Sequence, residues 1–225
     1  LLVLACIACT SVGAVGAAAV TSRIGSDVEL ERLRAHTRLE LAVTAEELSS
    51  ADLEETRLLH EEGYVGAHEL LEHEARVLEM RTERRLAESE LREIEARRGA
   101  VDDTIGARTV RGTDYVGERL RIRLELAVAK LEVEKHGFER VKALEEAGAI
   151  STTEIAMWYA SVAEAERDVR SLEKHIELRR AVVDGTMLPK DAELRARRAD
   201  LRADLEFQAG AVERAKSSIE MAREL

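Results

Sequence analysis

Beyond residue 23 the apolar positions recur at alternating steps of three and four, the signature of helices that each bury one stripe. The stripe is cleanest at Ile155, Trp158, Val162, Ala165, Val169, Leu172 and Ile176. A facing stripe runs through Leu120, Leu124, Ala127, Leu131, Phe138 and Val141, broken by Glu134. Between the two, Gly148 suits the left-handed residue that closes a helix, and Ser151 followed by Glu154 reads as the capping box of the next. Residues 118–183 are therefore expected to form an antiparallel hairpin with a tight tip.

The unit occurs twice. Residues 38–43 recur unchanged at 123–128, a shift of 85, and in that register Leu59, Glu61 and Gly63 meet Leu144, Glu146 and Gly148. Residues 23–98 accordingly predict a first hairpin that stops at Gly63 and returns along Leu70, Val77, Met80, Ala87, Leu91 and Ile94. His73 and Arg84 interrupt that returning seam. Arms of roughly 30 residues give about 45 Å of helix each. Residues 99–117 hold four glycines and predict a flexible linker. A second break at residues 184–189 precedes a last helix, with Asp191 as its expected cap and a seam at Leu194, Leu201, Leu205, Val212, Ala215, Ile219 and Ala222. That helix has no partner within the repeat; it either packs on a hairpin or begins a third, uncompleted unit.

The first 22 residues read differently. Residues 1–20 carry no charge, and at ~1.5 Å per residue they suffice to cross a ~30 Å hydrocarbon core. A membrane-spanning helix is the leading expectation. A signal peptide ending in small residues is a second, and a lipoprotein signal at Val3, Leu4, Ala5 and Cys6 a third. Cys6 and Cys9 have the CxxC spacing, but within an apolar segment they read as small apolar residues and not as a redox pair.

Composition narrows the class. Of 225 residues, 45% are apolar, 35% charged and only 3% aromatic, with a single proline, which argues against sandwiches and barrels and for long helices. The net charge of −11 gives no bulk attraction to nucleic acid. The arginines at 195, 197, 198 and 202, with Lys190, are offset in sequence by Asp191, Glu193, Asp200 and Asp204. The expected architecture is all-α: a membrane or signal segment (1–22), a hairpin (23–98), a linker (99–117), a duplicated coiled-coil hairpin (118–183), and a linker with a C-terminal helix (184–225).

Catalytic chemistry is not evident: there is no nucleophile elbow, phosphate loop or paired catalytic carboxylate, and no cofactor is expected. His68 and His73 stand five apart, about 140° around a helix, where a zinc pair needs i and i+4. His60, His68 and Glu72 near the first tip are a looser candidate metal set, of ligand types that suit zinc, nickel or copper. Trp158, on a seam position, reads as packing.

The second tip carries a resemblance. Arg140, Leu144 and Ser151 resemble the Arg…Leu…Ser tip motif of periplasmic adaptor proteins of the membrane-fusion, HlyD type. The surrounding ERVKALEEAGAISTTEIAMWYASVAEAERDV is similar to that family's hairpin turn. The resemblance implies a non-enzymatic protein anchored in the inner membrane by an N-terminal helix. Its hairpin would lie in the periplasm, assembled as a homo-oligomer beside a pump. Arg140, Leu144, Gly148 and Ser151 would then meet the tip of a TolC-type outer-membrane channel. Residues 179–186 are similar to the start of the family's returning lipoyl strand, although no strand-forming runs follow them. The first unit departs from the motif, with Glu55 and Gly66 where the second has Arg140 and Ser151. Two other readings remain open: a generic coiled-coil scaffold or oligomerisation module, and a periplasmic metal-responsive sensor using the first-tip histidines.

Overall fold

A computed structural model describes the backbone of residues 3–97, 109–147 and 152–224, and the side chains of 27–97, 109–147, 155–213 and 215–216. Five helices follow in order: α1 (Val3–Glu61), α2 (Ala67–Arg97), α3 (Tyr115–Glu146), α4 (Thr152–Val183) and α5 (Pro189–Glu224). Among the described residues there is no named strand, only an isolated bridge between Val110 and Thr113. Each helix packs against its neighbours in sequence: α1 on α2, α2 on α3, α3 on α4 and α4 on α5. The result is an open antiparallel array in which α1 and α5 are edges.

The duplication survives folding. α1 ends at Glu61 and α3 at Glu146, 85 residues apart, and α2 and α4 begin 85 residues apart at Ala67 and Thr152. The expected seams of the hairpins face inward: Val77, Ala87 and Ile155 are buried, and Leu124, Leu131, Val162 and Leu172 are half-buried; Ile122, outside the stripe read for α3, is buried as well. One layer of helices cannot enclose its seams fully, so small and polar residues share the core. Ser49, Thr56, Thr82, Ser89 and Glu93 are all buried.

Glycine turns set the hairpins. At the first tip Gly63 adopts φ +81°, its N–H bonds His60 O at 3.0 Å, and Tyr64 N–H bonds Leu59 O at 2.9 Å. This is the Schellman closure of a helix, and the positive φ favours glycine. The α4–α5 turn repeats it: Gly185 at φ +76° bonds Val182 O, and Thr186 bonds Ala181 O. Met187 then folds back on a small core of Leu178, Val182 and Ala192.

Several expectations need correction. Asp191 does not cap α5; the helix begins at Pro189, whose ring fits the first helical position, and Asp191 sits in the first turn. Residues 179–186 start no strand, because α4 runs to Val183 and the glycine turn follows. Of the expected 99–117 linker, residues 99–108 lie outside the described ones, and its last three residues belong to α3. Residues 109–114 form a tight turn, with Arg111 and Gly112 at positive φ, and α3 starts at Tyr115. Asp114 caps that helix by accepting Gly117 N–H at 3.0 Å, and the same carboxylate accepts Arg179 Nε at 2.8 Å from α4. The seam read for α5 faces outward: Leu194, Leu201, Leu205 and Val212 are all more than half exposed, while Ala192 and Ala196 turn toward α4. Alanines allow close approach of the two backbones, so the small-residue face packs and the leucine face stays open. The side chains of the expected membrane segment, residues 1–22, lie outside the described ones; among the described residues no helix is long and apolar enough to cross a membrane.

Candidate functional site

Alternating directions place the α1–α2 and α3–α4 tips at one end of the array, and the 109–114 and α4–α5 turns at the other. α3 spans about 48 Å between the two ends. At the second tip, Arg140 and Leu144 stand exposed on the last turns of α3, and Ala147 closes the helix with its N–H on Ala143 O at 3.3 Å. Gly148 and Ser151, which complete the expected motif, lie outside the described residues. Tyr64 at the first tip is 78% exposed, so both tips present apolar surface to solvent.

An aromatic brace lies beneath these tips. Trp158 lies so close over Gly137 that a Cβ there would sit 2.2 Å from the ring. The His68 ring from α2 meets the Trp158 ring edge-on at 6.0 Å between centroids. Phe138 and Tyr159 pack at 4.4 Å. This single ring contact joins α2 to α4 below the tips. Trp158 is packing, as its seam position implied. Gly137 was not singled out in the sequence, although a lone glycine inside a helical pattern is the signal for a close approach.

The candidate metal residues serve other purposes here. His60 Nδ1 donates to Val65 O at 2.8 Å, bracing the first turn, and His68 Nε2 faces Glu72 at 3.4 Å. Among the described residues no three His, Cys, Asp or Glu side chains gather as a metal-holding group.

One cluster has the components of a catalytic triad in an unsuitable order. Ser171 Oγ donates to Asp200 Oδ1 at 2.7 Å, and His175 Nε2 meets Asp200 Oδ2 at 3.2 Å. Nucleophilic serine needs the imidazole between hydroxyl and carboxylate. Here the carboxylate is central, and the cluster acts as a strut between α4 and α5. The grooves are open troughs of charged and aliphatic side chains. One of about 490 Å³ runs between α3 and α4, and one of about 990 Å³ lies over α2 between α1 and α3.

The joint between the hairpins is polar and was also missed. Arg119 and Arg97 both reach Glu93, which is only 7% exposed; Arg92 pairs with Glu118 at 2.6 Å, and Ser89 donates to the same Glu118 carboxylate. Arg85 hydrogen-bonds Glu125, which raises its guanidinium above the ordinary arginine value. Comparison with protein families, curated proteins and solved structures finds no match for this chain.

Proposed function

We infer that the chain is a non-catalytic docking protein of adaptor type, whose work is to hold the α3–α4 tip at a set distance from a membrane anchor. The observation that carries this reading is the exposure of Arg140 and Leu144 at the end of a braced hairpin. A tip that only closed a hairpin would need a glycine and a cap. It would not need an exposed arginine and leucine on one side above a rigid aromatic layer. The apolar residues 1–20 supply the anchor in this reading, with the helices on the periplasmic side and a TolC-type channel as the partner. The resemblance at residues 140–151 supports that choice of partner.

Replacing Arg140→Glu and Leu144→Asp together tests it. Both positions are exposed, so helicity by circular dichroism stays unchanged. Recovery of the channel in crosslinked membranes falls on the order of tenfold, the loss expected when a contact residue is removed from an interface centre. Unchanged recovery with a folded variant overturns the reading.

The scaffold reading is favoured by a separate observation: the apolar stripes left open on the two edge helices.

A further inference from the structure

We propose that the array assembles edge to edge with further copies of itself, α5 of one copy docking on α1 of the next. The inference is independent of what the tip binds.

The open apolar surface is concentrated at the two edges. Among the described residues, nine of sixteen exposed large hydrophobic side chains lie on α1 and α5 and none on α2. On α1 they include Leu30, Leu41, Leu48 and Leu58; from Thr37 through Leu41, Thr44, Leu48 and Ala51 the steps alternate four and three on the face away from α2, and Leu30 and Leu58 lie one heptad beyond each end, past Arg34 and Glu55. On α5, Leu194, Leu201, Leu205 and Val212 fall at steps of seven, four and seven on the face away from α4, with Arg198 and Gln208 at the intervening heptad positions. Each edge therefore carries a second coiled-coil seam besides the one that holds it in the array. A lone exposed leucine needs no explanation, but a heptad stripe along a helix does. Because directions alternate, α1 and α5 run the same way. Neighbouring copies set side by side would pair these seams in parallel.

Charge selects the partner. Residues 39–56 of α1 hold six acids and no base. Only Glu46 among them turns inward, to Arg81 and Arg84 on α2 at 3.0 and 3.1 Å. Glu40, Glu47, Asp52, Glu54 and Glu55 are exposed along the leucine stripe. α5 is the complement. Of its acids in this stretch, Asp200 and Asp204 are taken up by His175 and Arg167 of α4, so beside Leu194, Leu201 and Leu205 the exposed Arg195, Arg197, Arg198 and Arg202 outnumber the exposed Glu193 and Glu206. Among the described residues no ion pair engages Glu47, Asp52 or Glu55, nor Arg195, Arg198 or Arg202. An acidic-flanked seam and a basic-flanked seam on opposite edges of one molecule suit each other better than either suits its own copy. Like charges along flanking positions repel, and opposite charges set partner and orientation. Such an interface is heterologous, of the kind that propagates into a ring or a filament.

The test uses the full chain and two charge-swapped forms. One carries Glu47→Arg and Glu55→Arg on α1; the other carries Arg198→Glu and Arg202→Glu on α5. All positions are exposed, and circular dichroism checks that each form keeps its helicity. Light scattering after size exclusion in a mild detergent, with the detergent's share subtracted, reads the mass against the 25.0 kDa of one chain. The unmodified chain is expected above that mass, and each swapped form at it. The two swapped forms mixed are expected to return to the higher mass, because each supplies the edge the other now lacks. A single-chain mass for the unmodified protein overturns the proposal. So does a mixture that fails to assemble, or an α5-swapped form that loses assembly while the α1-swapped form keeps it, which would indicate α5 pairing with its own copy.

Discussion

Gly137 lets Trp158 lie directly against the α3 backbone. Adding a methyl group there forces Trp158 off the α3 backbone, since the Cβ would lie 2.2 Å from the ring. Gly137→Ala is expected to cost about 1–3 kcal/mol, the usual range for overpacking, read as a lower urea midpoint. Trp158→Leu introduced beside it should recover part of the loss, and no recovery would mean the ring is not the cause. Gly63 is a different case. Nothing lies within 4 Å of its missing Cβ, so Gly63→Ala is costly only through its positive φ, by about 1–2 kcal/mol. Sequence could place Gly63 at a stop and Trp158 on a seam, because turn and period are local signals. It could not reveal that Trp158 lies over Gly137 and meets His68, because those contacts join residues that only tertiary packing brings together.

Between elements, the seams within each hairpin and the joint between hairpins differ in chemistry. The α3–α4 seam is aliphatic and aromatic, and its residues were legible from their three-four spacing. The α2–α3 joint is built on Ser89, Glu93, Glu118 and Arg119, on a second face of α2 that has no apolar periodicity to read. Removing the nearly buried Glu93 leaves the mostly buried Arg119 and the exposed Arg97 without this partner. Glu93→Ala is expected to destabilise the joint by about 1–3 kcal/mol. Hydrogen exchange should then quicken over residues 109–122, while residues 35–60 keep their protection. Equal loosening everywhere would show that the hairpins unfold as one unit. The α5 seam was misread for a related reason. Periodicity finds an apolar stripe but not its partner, and α5 carries two: an alanine face that α4 takes and a leucine face that stays open.

At the scale of the whole molecule, the array is a sequential layer of five helices with exposed apolar side chains at one end and along both edge helices. The hairpins, their register and their length could be read from the sequence; the flat order of the helices and the charge division between edges could not, because both depend on which faces are spent internally. The arginines of α5 looked neutralised in sequence, yet two of the four offsetting acids turn to α4. The edges and the tip make separate demands. Assembly through α1 and α5 would set tips side by side, and the tip would still need a partner of its own. The most direct measurement is crosslinking in cells from a photo-reactive residue at Leu144, with Tyr64 at the first tip as the control. A discrete adduct with an outer-membrane channel from Leu144, and not from Tyr64, is the expected result. Equal adducts from both tips, or adducts from Leu144 only to other copies of this chain, would contradict a docking role for the second tip.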